Sequence, residues 1–221
     1  MVLKFYDDTH TYTLDGEEVP SVSEISRFAS REIYNDNVDK YILENAKERG
    51  KTVHSATEQL DNTGTCDIES NIANYVNAYV SFRKDFNINN YVYIEKAFGS
   101  KKLLFAGTLD RAIIIDEHFA QMVKKQCKVD ISDKIGQLAI LDFKTSSAVQ
   151  KSLAQIQLPA YSILVEENTK HKAGALFILH LKKDGKYKLH YFDNNDYLFQ
   201  SCLNLHKSLA KKKRSKKTNG K

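Results

Sequence analysis

Gly107-Thr108-Leu109-Asp110, followed one strand later by Leu141-Asp142-Phe143-Lys144-Thr145, decides how this chain of 221 residues folds. Side chains alternate faces along a strand, so Asp142 and Lys144 share one face while Leu141 and Phe143 turn to the other. Leu138-Ala139-Ile140 just before them is apolar, the pattern of a buried strand. A lone carboxylate or a lone ammonium on such a strand is costly, whereas the two together can line a cleft. Asp110, on the neighbouring strand, can supply a second carboxylate. Hard oxygen donors of this kind suit magnesium or manganese, which take one or two carboxylates plus substrate phosphate. Lys144 could then orient and help deprotonate an attacking water and offset charge on the phosphorus. Taken alone, Asp-x-Lys also describes an exposed ion pair two residues apart, so the case rests on context.

Working outward, strand patterns cover residues 91–98, 103–115 and 137–144. Residues 116–136, with Lys124, Lys125 and Lys128, read as an insertion at a hairpin tip. Helical spacing returns over 149–167, a hairpin follows over 175–192 around Asp184-Gly185, and a last helix covers about 195–210. Towards the N-terminus, residues 2–19 alternate around Asp15-Gly16 and predict a small β-hairpin. Ser21-Val22-Ser23-Glu24 has capping-box spacing and starts a short helix, and 39–61 reads as a second helix. Residues 67–86 carry Ile68, Ile72, Tyr75, Tyr79, Phe82 and Phe86 at helical spacing, a stripe that reads as core rather than as a base-stacking platform. The expected fold is α/β (α+β): a mixed central sheet flanked by helices, preceded by an N-terminal hairpin and helical region. We expect one domain over residues 1–206, with the hairpin and helical part over about 1–88 and the core over about 89–206.

The charge is uneven. Eight of the 33 basic residues fall in 207–221, which holds no acidic residue, and the remaining 25 face 28 acidic ones. Residues 207–221, including Lys211, Lys212, Lys213 and Arg214, therefore read as a basic, flexible tail that can either solubilise the chain or neutralise phosphates. Three widely spaced cysteines without a CxxC support no disulfide framework, zinc ribbon or iron–sulfur cluster. Apolar runs fall far short of the roughly 18–20 residues that span a bilayer, so no membrane partner is expected. Charged Asp7-Asp8 right after the first six residues gives no secretory pattern, and a reducing cytoplasm is the expected setting.

Context for the central motif comes from two helices. Gln157 and Tyr161 share a helix face and carry hydrogen-bonding tips suited to phosphate or base contact. Pro159 between them would ordinarily cost a helix about 3 kcal/mol or kink it. His54 and Glu58 lie one turn apart on the second helix; a histidine there, by itself, is as well explained by packing or surface exposure.

In order along the chain, Gly50-x-x-x-His54-x-x-x-Glu58, a strand with Glu95, Gly107-Thr108-Leu109-Asp110, Asp142-Phe143-Lys144-Thr145 and Gln157-x-x-x-Tyr161 resemble the motif series of the PD-(D/E)XK nucleases. The match looks closest to the RecB-type and phage exonuclease branch. Thr9-His10-x-Tyr12 and Val19-Pro20-Ser21-Val22-Ser23 are similar to the lead-in of phage-encoded members. The resemblance spans roughly residues 3–192. It implies a restriction-endonuclease-like core and a DNA-processing enzyme that uses Mg2+ or Mn2+. His54, Asp110, Asp142 and the backbone carbonyl of Phe143 would be metal ligands. Lys144 would be the catalytic lysine, and Gln157 and Tyr161 would steady the DNA and the site. Glu95 would stand behind the ligands or be structural, and Glu58 would be a helix-surface or orienting residue. Iron–sulfur relatives clamp the domain with four cysteines, which this chain lacks. The segment between Asp110 and Asp142 is also longer than the motif needs, and Lys124, Lys125 and Lys128 in it could touch DNA or a partner.

The first expectation is thus a metal-dependent DNA exonuclease that processes ends in recombination, repair or phage replication, acting with a recombination or annealing partner in the cytoplasm (the host's, if phage-encoded). A structure-specific endonuclease and a non-catalytic nucleic-acid-binding module are the alternatives. A small-molecule enzyme has no Gly-rich phosphate loop or nucleophile–histidine pairing to support it.

Overall fold

The structure, a computed structural model, describes the backbone of residues 1–33 and 40–218 and the side chains of residues 1–28 and 44–210. The chain opens with β1 (Leu3–Tyr6), β2 (Thr11–Leu14) and β3 (Glu17–Val19), a three-stranded antiparallel sheet. Asp15 and Gly16 join β2 to β3 with positive φ of 51° and 92°. Such a two-residue turn matches the twist of antiparallel strands, so the expected hairpin is present and a third strand enlarges it.

Three helices follow: α1 (Val22–Ile33), α2 (Lys40–Thr63) and α3 (Ala73–Asp85). The Ser21 hydroxyl accepts the Glu24 N–H at 3.0 Å and so caps α1. The aromatic stripe of residues 67–86 is core: Ile72, Tyr75, Tyr79, Phe82 and Phe86 are all buried. Ile68 is exposed, because the helix begins only at Ala73.

The central sheet runs in the order β4 (Tyr93–Ser100), β5 (Phe105–Ile114), β6 (Leu138–Lys144), β7 (Ala173–Leu181), β8 (Tyr187–Phe192). β6 and β7 are parallel and the other neighbours antiparallel. A parallel pair needs a crossover, and helix α5 (Lys151–Asn168) supplies it. All nine residues of β7 are buried, because both faces of the sheet are covered. Phe177 and Leu179 pack with Tyr79, Phe82 and the insertion on one face. Leu176 and Ile178 pack with α1, α5 and Phe199 on the other. The period-two alternation of β6 divides in the same way, with Phe143 in the first core and Ile140 in the second. Gly107 lies under this second layer. A Cβ there would fall 2.7 Å from Val22 Cγ2 and 3.2 Å from Tyr161 Cε1, so the close seating of α1 and α5 over β5 requires a glycine.

Two elements differ from the sequence pattern. The insertion contains a helix, α4 (Glu117–Cys127), whose N-terminus is capped by Asp116 accepting the Phe119 N–H at 2.7 Å. Its apolar face is only Phe119, Ala120 and Val123, too short a period to stand out among lysines. The last helix, α6 (Asp196–Thr218), carries on past residue 210, where the apolar spacing stops. Pro159 sits inside α5 without ending it. The carbonyl it leaves unpaired belongs to Gln155, an exposed residue.

Candidate metal centre

A cavity of about 740 Å³ opens where the N-terminal sheet, α2, α5 and strands β4–β6 meet. Helix α2 presents Lys51, His54, Ser55 and Glu58 to it, with Lys51, His54 and Glu58 three and four residues apart on one face. Glu95 enters from β4, Asp110 from β5, Asp142 and Lys144 from β6, and Gln157 and Tyr161 from α5. All eight cavity positions singled out in the sequence, from His54 to Tyr161, therefore line one space.

Strand geometry makes the opening. The β5–β6 ladder runs from Ile114↔Leu138 to Arg111↔Leu141 and stops. Asp110 and Asp142, next in line, do not pair through their backbones. Instead the Asp110 carboxylate accepts the Phe143 N–H at 2.6 Å, taking the place of a ladder bond. On the other side of β5, Ile94↔Arg111 and Lys96↔Leu109 are paired while Glu95 between them is not. Glu95 has φ 40°, a left-handed backbone that costs a non-glycine residue about 1–3 kcal/mol. The ladder is thus interrupted on both flanks of Asp110, and carboxylates fill the gap.

His54 Nδ1 lies 3.2 Å from Glu95 Oε1 and 3.7 Å from Asp110 Oδ1. One donor atom from each of His54, Glu95 and Asp110 falls within 4.8 Å of the others, close enough to grip one cation. Asp142 stands beside this group, with its Oδ2 2.5 Å from Lys144 Nζ. That contact sets the buried Asp142 carboxylate directly against the Lys144 ammonium. Gln157 Oε1 is a buried acceptor with no hydrogen-bond partner among the described residues. Buried acceptors are seldom left unmatched. At the floor of the same cavity the His54 imidazole and the Glu95, Asp110 and Asp142 carboxylates form a donor set that fits a bound cation.

The electrostatics agree. Burial raises the pKa of Asp110 and Asp142 above the ordinary carboxylate value, with His54 and Lys144 pulling back on Asp110 and Lys144 on Asp142. Burial works against the His54 imidazolium, but Asp110 and Glu95 outweigh it and raise its pKa to about 9. Lys144 is likewise opposed by burial and raised by Asp142 and Asp110. Protonated His54 and Lys144 therefore offset part of the carboxylate charge in the metal-free protein.

Beneath the cavity lies a set that sequence reading missed. Arg111 and Asp61 side chains are both 0% exposed and meet at 2.7 Å. Arg111 also donates to Glu95 Oε1 at 2.9 Å and to the Asp110 carbonyl at 2.7 Å. Its guanidinium is flanked by the Phe143 and Tyr91 rings at 5.2 and 5.7 Å. Asp61 is held in addition by the Tyr79 hydroxyl at 2.5 Å and by Arg83 at 3.0 Å. The available signal was an arginine directly after Asp110 in an otherwise apolar strand, since a buried arginine needs a partner. The Glu95 carboxylate, read from the sequence as standing behind the ligands or structural, lies within 4.8 Å of the His54 and Asp110 donor atoms.

The lysines of the insertion are elsewhere. Lys124 pairs with Asp130 at 2.7 Å, Lys128 Nζ donates to the Lys125 carbonyl at 3.0 Å, and none of the three lines the cavity. The side chains of Lys211, Lys212, Lys213 and Arg214 lie outside the described residues. Among the described residues, no helix is long and apolar enough to cross a membrane. A family model described as the PD-(D/E)XK nuclease superfamily matches residues 27–217. No curated protein matches the chain.

Proposed function

Because this chain belongs to the PD-(D/E)XK nuclease superfamily, we propose that it is a metal-dependent DNA exonuclease of the RecB-type or phage exonuclease branch. Nucleases of this superfamily use divalent metals, and the His54–Glu95–Asp110 group can hold one. The observation that carries the reading is that these three donors and the Asp142–Lys144 pair all face one cavity.

In this reading His54, Glu95, Asp110 and Asp142 would hold Mg2+ or Mn2+. Such an ion, when bound, lowers the pKa of water and draws charge from the scissile phosphate. Lys144, already gripped by Asp142, holds a proton at Nζ that orients the attacking water and offsets charge developing on the phosphate oxygens. Gln157 offers its free Oε1 side to substrate, and Tyr161 forms a rigid wall beside it. Arg111 keeps Glu95 and the Asp110 backbone in place, and most of the acceleration comes from such positioning. With three carboxylates at the floor, DNA enters favourably only after a cation does, so metal and substrate bind cooperatively. A cytoplasmic role in recombination, repair or phage replication follows from the branch, with an annealing or recombination protein taking up the strand that resection leaves.

End-labelled linear DNA and closed circular DNA, incubated with magnesium, manganese or chelator, test the proposal. Loss of label from linear DNA alone, only with metal, is expected. Cutting of the closed circle would make the protein an endonuclease. Metal-independent binding with no cleavage of either would leave a non-catalytic nucleic-acid-binding module.

A further inference from the structure

We propose that Phe5, with Tyr12 and His10 behind it, is a stacking platform for an unpaired nucleobase at the mouth of the metal cavity, which makes a single-stranded or frayed DNA end the substrate. The proposal rests on the nuclease reading for where the scissile phosphate lies. All three rings line the same cavity as His54 and Asp110. Phe5 of β1 is the register partner of Tyr12 in β2, and their rings stack at 4.6 Å and 30°. The His10 ring meets Phe5 edge-on at 5.2 Å and 88° from a backbone with φ 52°, a left-handed conformation unusual for a non-glycine residue.

The platform is anchored from below. Tyr12 is 1% exposed, and its hydroxyl shares a 2.8 Å hydrogen bond with Thr108, two residues before Asp110 in β5. Phe5, by contrast, is 38% exposed. The helical aromatic stripe has no such surface, since Tyr79, Phe82 and Phe86 are buried. A rigid aromatic ring with open surface, in the cavity that would receive a phosphodiester, is the arrangement on which an unpaired base stacks whatever its identity. A paired base must be extruded from its duplex before it can lie on such a ring, whereas an unpaired end base is free to do so. Lys51, 80% exposed and only loosely paired with Asp7 at 3.8 Å, lines the same cavity and is placed to meet a neighbouring phosphate.

The test measures binding of a short fluorescein-labelled single strand, either unmodified or abasic at both termini, by anisotropy in manganese. Lys144→Ala serves as background so that cleavage does not interfere. The unmodified strand should bind about tenfold tighter than the abasic one. Phe5→Leu, which keeps apolar packing on Tyr12 but removes the aromatic face, should erase that preference while leaving abasic-strand and blunt-duplex binding unchanged. A preference that survives in Phe5→Leu overturns the proposal, as does an equal loss on all three substrates. Cleavage by the parental protein is scored separately. A Phe5-dependent base preference without any cleavage would sink the nuclease reading and keep the platform; cleavage without the preference would do the reverse.

Discussion

Two clusters of buried charge meet at Glu95, and they are finished differently. Around Arg111 and Asp61 every charged group has its counterpart: Arg111 is shared among Asp61, Glu95 and the Asp110 carbonyl, and Asp61 takes Tyr79 and Arg83 as well. Around Asp110 and Asp142 the three carboxylates, Glu95 included, outnumber His54 and Lys144, and burial pushes the pKa values of both aspartates up. The first cluster is sealed and the second opens on a cavity. A satisfied buried network holds geometry, whereas an unbalanced one stores affinity for a cation. In the proposed reading the sealed cluster is the foundation and the open one the working site.

The strongest break in this comparison comes from the open side. Lys144→Ala or Asp142→Ala should reduce cleavage of linear DNA by about a hundred- to a thousandfold, the size expected when a charge-stabilising group is lost. The thermal unfolding midpoint should stay near the parental value. Parental cleavage by Lys144→Ala would remove the catalytic assignment.

On the sealed side the ranking inverts. Arg111→Met leaves Asp61 buried without its main counter-charge and should cost about 3–5 kcal/mol in urea unfolding. A loss under about 1 kcal/mol would mean that Asp61 is matched without Arg111 and that the foundation is misidentified.

Metal sharpens the contrast between the two. Manganese at about 100 times its Kd should stabilise the parental protein by about 2.7 kcal/mol, and chelator should reverse the gain. Asp110→Asn should abolish the response. A response undiminished in that variant would place the cation outside the open cluster.

The smallest effect lies outside both clusters and serves as their control. Burial, with Lys188, His180, Lys151 and Lys182 nearby, lowers the pKa of His190 in β8 to about 4. The unfolded chain binds this proton near pH 6.5, before the folded one does, so stability is full above that value and falls as pH drops towards 4. His190→Gln should flatten the decline between those pH values by a few tenths of a kcal/mol. An unchanged slope would assign the acid sensitivity to other groups.

Reading the chain in order recovers most of the elements because local pattern is strong where burial is one-sided or complete. The all-apolar run of β7, the alternation around Asp142 and the turn at Asp15-Gly16 each carry their own signal. Helix α4 does not, because its buried face is three residues among lysines. For the site, His54, Asp110, Asp142, Lys144, Gln157 and Tyr161 are visible as candidates through spacing and type. Glu95 is not visible as a member of the donor group, because its direction depends on a left-handed backbone within a strand. Asp61 is invisible for a different reason: its partner Arg111 lies 50 residues away, and only packing brings them together.

By itself, then, the sequence determines which faces of β6 and α2 carry charge and which are apolar, because those are consequences of periods of two and 3.6 residues. Only the tertiary structure decides that the β4–β5 and β5–β6 ladders break on either side of Asp110, that Arg111 braces the gap from beneath, and that Phe5 and Tyr12 line the same cavity. Ladder interruptions, buried ion pairs and ring stacking join residues far apart in the chain, so their energies depend on distances that no local pattern encodes.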